Sequence, residues 1–195
     1  SKISGDIQNE TDKIASLCYR MLKTMYKKEY SEMLNLFYGI HVSQIKSLES
    51  DYVNITPEPF FNIQLPIGDD KTLEGCFDLY TTVEKLDGDN KLYNEKTDEK
   101  EVMEKQITFW SLPNILVITL KRFTNRLNKN KEFIDFPLEN LDLRKHIIGY
   151  NKNSYVYDLY GICNHSGGPM GGHYTSFVKN ANGRWYHYND TQVTE

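Results

Sequence analysis

The stretch that decides the fold runs from Tyr157 to Asp190, YDLYGICNHSGGPMGGHYTSFVKNANGRWYHYND. Short runs rich in Tyr, Ile, Val and Phe alternate there with Asn and Gly turn residues, the pattern of antiparallel strands joined by tight connections. A glycine-rich loop feeds His173 directly into one strand. Ala181, Asn182 and Gly183 then form the turn from which a second strand returns to Asn189. This arrangement predicts His173 and Asn189 at about the same height on paired strands, within reach of cross-strand contact.

A histidine oriented by an asparagine has a definite chemical use. One ring nitrogen takes the proton of a thiol, and the other donates to the amide oxygen, which fixes the tautomer. A neutral amide suffices, because a thiolate–imidazolium pair already has a depressed thiol pKa and needs less help from an orienting charge than a serine does. Gly167, Gly168, Gly171 and Gly172 remove Cβ atoms beside the histidine and would let an extended substrate main chain ending in small residues pass close to it. On spacing alone, a structural or surface role for such a histidine stays open.

Upstream, Ile14, Leu17, Cys18, Met21, Leu22 and Met25 recur at helical spacing, with Asn9 or Thr11 as the cap. Ser31 starts a second short helix, SEMLNLF, which Tyr38-Gly39 ends through a left-handed glycine. From residue 40 the pattern turns to strands, GIHVSQIK, DYVNI and PFFNIQLPI, punctuated by Pro57, Pro59 and Pro66. Leu73, Cys76, Phe77 and Tyr80 share one face of a single intervening helix. The charged run LDGDNKLYNEKTDEKEVMEK reads as an exposed hairpin or mobile loop. NILVITLKRF reads as a central strand buried on both faces, and KEFIDFP as a further short strand. The fold class is α+β.

Composition narrows the function. A net charge of −4 supplies no basic surplus for phosphates, which argues against nucleic acid and makes a basic partner easier to accommodate. Cys18, Cys76 and Cys163 are odd in number and form no CxxC pair, pointing to a reducing compartment, cytosol or nucleus. All three read as small core hydrophobes. No apolar run reaches about 18 residues and the N-terminus has no signal-peptide pattern, so neither secretion nor a membrane partner is expected.

The segment NHSGGPMGGHYTSFVKN followed by RWYHYNDTQVT resembles the histidine box of ubiquitin-specific proteases. LFYGIHVSQIKSLESDYVNITPEPFFNIQLPI, LEGCFDLYTTVEKLDGDNKLY and LPNILVITLKRF resemble that family's upstream blocks in the same order, so the likeness covers residues 31–195. It implies a papain-like cysteine protease fold: a helical part over residues 1–39, finger-like strands with one helix over 40–110, and a palm with the histidine box over 111–195. His173 becomes the base and Asn189 the third catalytic residue, with Asp190 beside it in the catalytic set. Arg122, Phe123, Tyr174, Gly171 and Gly172 become contacts for the C-terminal tail of ubiquitin, and the loop from Ser166 to Gly171 covers that tail. The implied partners are ubiquitin and ubiquitinated proteins, met by a monomer.

Two departures from the family pattern matter. Nothing in residues 1–30 matches the family's GNTCxxNSxLQ cysteine box, and Cys18 lies mid-helix, so we expect a fragment whose nucleophile sits on another segment or chain. Many relatives bind zinc in the fingers through two CxxC pairs. The equivalent positions here are Ser47, Ser50, Asn94 and Thr97, which cannot replace four thiolates, so no metal and no cofactor is expected. The alternatives are a catalytically inactive ubiquitin-binding scaffold and an unrelated papain-like hydrolase.

Overall fold

The apolar stripe between residues 11 and 30 winds into helix α1 (Glu10–Lys28), in a computed structural model that describes residues 5–28, 30–124 and 128–195. Asn9 is the cap: its Oδ1 accepts the N–H of Asp12 at 2.8 Å, while the Asp12 carboxylate accepts the N–H of Gln8. The Tyr150 hydroxyl donates to Asp12 and ties the helix start to the distant chain. Helix α2 (Glu32–Phe37) is capped by Ser31, whose hydroxyl accepts from Met33 N–H. It ends on Tyr38 in an extended conformation, not on a left-handed glycine, because Gly39 already begins strand β1 (Gly39–Ser47).

Strand β1 pairs with β2 (Val53–Phe60), and β3 (Asn62–Leu65) follows. Helix α3 (Leu73–Thr81) opens on Thr72, whose hydroxyl accepts from Gly75 N–H at 3.0 Å, and buries Cys76 and Phe77. The charged run then gives β4 (Glu84–Leu86) and a hairpin of β5 (Leu92–Asn94) and β6 (Glu99–Glu101). Strand β7 (Met103–Ser111) follows, and the main sheet has the antiparallel order β2-β1-β7-β4. Pro57 and Pro59 lie inside β2 and do not punctuate it. As an edge strand it leaves one row of N–H positions unpaired, and two prolines two residues apart both face that open edge.

The central strand is β7, not NILVITLKRF. Of the latter, only β8 (Val117–Leu120) is a strand. It is mostly half-buried and pairs in parallel with β3 alone. KEFIDFP forms no strand either. Ile134 is buried, and Asp135 makes main-chain bonds to Lys71 and Leu73 as an isolated bridge. Strands β9 (Leu141–Asp142) and β10 (Val156–Tyr157) pair with each other. The last four strands, β11 (Gly161–Gly168), β12 (Gly171–Lys179), β13 (Trp185–Asn189) and β14 (Gln192–Thr194), form a sheet in sequence order.

Alternation along β7 feeds two cores. Phe109 faces a cluster with Phe60, Ile63, Leu65, Phe77 and Leu143, while its neighbour Trp110 faces Ile14, Cys18, Ile40 and Val42 under α1. A register shift between Ile40 and His41 sets Ser111 and Phe109 against consecutive residues of β1.

Candidate active site

The β12–β13 turn is built as its residues dictate. Gly183 N–H donates to Asn180 O at 2.9 Å, Gly183 takes φ +81°, and Arg184 N–H donates to the Asn182 side chain. This sets Ser176 opposite Tyr188. One step further along that register Thr175 stands opposite Asn189, so Asn189 reaches His173 diagonally and not directly across. The two side chains meet: His173 Nε2 lies 2.6 Å from Asn189 Oδ1. With Nε2–H donating to the amide oxygen, the lone pair of the neutral ring is on Nδ1, which is left to accept a proton.

The glycine-rich segment before His173 is a paired hairpin, not an irregular loop. Residues 161–168 and 171–179 pair throughout, and only Pro169 and Met170 form the turn. Nor does Gly172 make room for substrate. A Cβ there would strike the His165 ring and the Ser166 carbonyl, so its missing side chain admits a neighbouring residue of the same sheet. Gly171, by contrast, has open space where a Cβ would project. The His165 ring lies tilted against Tyr174 with centroids 4.7 Å apart and approaches Phe123 at 6.2 Å. Tyr174 and Phe123 present much of their surface outward, 63% and 44% exposed. Arg122 turns inward, donating from Nη1 to the carbonyls of Asn130 (3.2 Å) and Glu132 (2.7 Å). It braces the chain that follows Phe123.

None of the three cysteines faces His173. Cys18 and Cys76 are fully buried, and burial pushes the Cys18 thiol up to about 12 and raises that of Cys76. Cys163 is exposed on the edge strand β11 and is not a core residue. Cys163 pairs across from Ser176, whereas His173 pairs across from Ser166, an odd number of residues away, so the thiol and the imidazole project from opposite faces. Asp190 occupies the tight turn into β14 at φ +51°, exposed, its carboxylate without a hydrogen bond among the described residues.

The other histidines are held structurally. His41 stacks on Phe60 and contacts Glu58 at 3.1 Å, and His187 stacks on its cross-strand partner Phe177. His146 is buried with Nδ1 at 3.0 Å from Thr81 Oγ1. Its Nε2 faces Asp78 at 3.4 Å without hydrogen-bond geometry, and burial lowers the ring's pKa.

The positions equivalent to zinc ligands converge on a side chain the sequence did not single out. Ser47 Oγ and Ser50 Oγ donate to Glu101 Oε2 at 2.5 and 2.7 Å, while Thr97 Oγ1 and Asn94 Nδ2 donate to Oε1 at 2.6 and 2.9 Å. Glu101 and Asn94 are 4% and 1% exposed, so the charged run is an exposed hairpin built on a buried carboxylate. The four donors, Ser47 first, pull the Glu101 pKa down to about 2. The legible signal was chemical: four neutral donors at one point call for an acceptor. Among the described residues no three His, Cys, Asp or Glu side chains gather as metal ligands.

Residues 5–195 match the family described as ubiquitin carboxyl-terminal hydrolase. The chain belongs to that family. Ubiquitin carboxyl-terminal hydrolase 2 of Gallus gallus is 35% identical over 183 residues, covering 90% of this chain and 51% of that protein. The Homo sapiens protein of the same name is also 35% identical, with 90% and 30% covered. This member of the hydrolase family thus spans about half the length of the first relative and less than a third of the second. Among solved structures, the SAGA Ubp8/Sgf11/Sus1/Sgf73 DUB module bound to monoubiquitin superposes with a TM-score of 0.71 at 29% identity, covering 86% of this chain and 38% of that one. The same module bound to ubiquitin aldehyde gives 0.73 at 27%, covering 93% and 43%. The α+β architecture of this hydrolase-family chain is therefore that of a ubiquitin-specific protease catalytic domain, papain-like in class, in agreement with the sequence reading.

Proposed function

We propose that this chain is the histidine-bearing part of a thiol-dependent deubiquitinase, which hydrolyses the bond after the C-terminal glycine of ubiquitin with a cysteine supplied from outside these 195 residues. The observation that carries the proposal is the 2.6 Å contact of His173 Nε2 with Asn189 Oδ1, which leaves Nδ1 as the proton acceptor. His173 takes the thiol proton, and the thiolate adds to the glycine carbonyl to give an oxyanion. Collapse expels the lysine amine, which takes the proton from His173. Water, deprotonated by the same ring, then cleaves the thioester and restores the thiol. The ubiquitin tail lies along the exposed faces of Phe123 and Tyr174 and past Gly171, with Gly172 and Arg122 supporting that path from within. Asp190 sits at the same end of the sheet, beside Asn189. Cytosol or nucleus suits such a thiol chemistry.

The test uses the intact protein and a ubiquitin whose C-terminus carries a thiol-reactive group. It becomes covalently labelled, and His173→Ala abolishes turnover while ubiquitin binding changes little. Unchanged turnover in that variant would overturn the catalytic assignment. A second reading, an inactive ubiquitin-binding scaffold, is favoured by one observation, that among the described residues no cysteine stands on the face of His173. Binding of the probe without covalent labelling selects it.

A further inference from the structure

Lys129 lies outside the machinery just described, yet its ammonium is heavily engaged beside the strand paired with that of His173. Its Nζ donates to the carbonyl of His165 at 2.6 Å, to the carbonyl of Gly167 at 3.2 Å and to His165 Nδ1 at 3.0 Å, and it stands 5.8 Å from the centre of the Phe123 ring. No carboxylate within ion-pair distance of Lys129 is found among the described residues. The whole donor capacity of the ammonium is spent on one strand of the glycine hairpin.

What that strand does is set by alternation. His173 projects from one face of β12, so Gly172 and Tyr174, its neighbours on either side, face the other. On that face the His165 ring fills the space left open by Gly172 and packs at a tilt against Tyr174, its cross-strand partner. His165 thereby backs the main chain on both sides of His173, and Lys129 holds His165 by ring and carbonyl together. The anchor itself is fixed, since Lys129 bridges to Phe123 and Thr124 N–H donates to Asn128 O at 3.0 Å.

We infer that Lys129 is a positioning residue, a latch that fastens the glycine hairpin to the chain after Phe123 and so sets the height and direction of His173. The hairpin needs one: it is an outer strand pair with glycines at four of its six central positions, the residue type that loses most conformational freedom on ordering. The inference deepens the proposed function and its catalytic arm rests on it.

The test compares Lys129→Met, which keeps side-chain length without the ammonium, and Lys129→Arg, which keeps donors for the two carbonyls, in the intact protein. Amide hydrogen exchange over residues 164–174 is read first. Lys129→Met speeds it about tenfold with the β13–β14 strands unchanged, and Lys129→Arg restores most of the protection. With a ubiquitin conjugate as substrate, Lys129→Met lowers kcat about tenfold while KM stays within about threefold, the pattern of a misplaced base and not of lost substrate binding. Unchanged exchange overturns the latch, and faster exchange with unchanged kcat overturns its role in placing His173. Exchange is read whether or not the wild type turns over conjugates, so an inactive wild type overturns the proposed function separately.

Discussion

At the scale of single residues, the site depends on which nitrogen of His173 is occupied. Asn189 accepts from Nε2, and an acceptor there is what keeps the free lone pair on Nδ1. Asn189→Ala should lower kcat about 100-fold on a ubiquitin conjugate in the intact protein, with KM little changed, because the ring loses its tautomer and its angle together. Asn189→Asp, which can accept the same bond, should retain most of the activity. Steady-state kinetics on the two variants checks both. His173 and Asn189 were legible because they lie 16 residues apart on one hairpin with an Asn-Gly turn between them. Lys129 was not, because its partner His165 is 36 residues away and a lysine in a polar loop carries no pattern of its own. The diagonal offset of the pair escaped for a smaller reason, since a turn fixes register to the residue and the sequence suggested the turn only approximately.

At the scale of elements, the β5–β6 hairpin shows a charged segment organised from within. Ser47 and Glu101 are 54 residues apart, so no local pattern announces that one of many acidic residues is the hub. Glu101→Gln should lower the melting temperature by about 5 °C, since the new amide turns donors toward donors. Thermal denaturation followed by circular dichroism checks this. The sign with pH follows from the lowered folded pKa. The unfolded carboxyl titrates near 4.5 and the folded one near 2, so this contribution is complete above about pH 4.5 and disappears as pH falls toward 2. A wild-type melting curve that stays flat through that window would contradict the assignment. The exchange of centrality between NILVITLKRF and β7 has a related cause. Apolar β-branched runs mark burial, but Met103–Ser111 is mostly polar over its first half, where it pairs with β4, and apolar over the half that enters the core, so neither half stands out in sequence.

At the scale of the whole molecule, β7 joins the two cores, and Phe109 is where its load is greatest. Its ring is wholly buried, 5.7 Å from Tyr80, 5.8 Å from Phe60 and 6.2 Å from Phe77. Phe109→Ala should destabilise the fold by about 3–5 kcal/mol, measurable by denaturant titration, through lost burial and the cavity left among three aromatic rings. A second pH effect belongs here, because His146 packs α3 against the turn before Ile147. Burial depresses its folded pKa below 6.5, so its contribution is complete above that pH and weakens as the medium acidifies and the unfolded ring takes up a proton first. His146→Leu should flatten the stability profile just below pH 6.5.

The Glu101 carboxylate beneath the β5–β6 hairpin also bears on which insults that region can survive. A hub of thiolates around an ion fails when the sulfurs are oxidised or the ion is sequestered. Glu101 and its hydroxyl and amide donors offer no sulfur to oxidise, and hydrogen bonds alone join them. The β5–β6 hairpin should therefore keep its melting temperature through peroxide exposure and chelation that would collapse a thiolate-built counterpart.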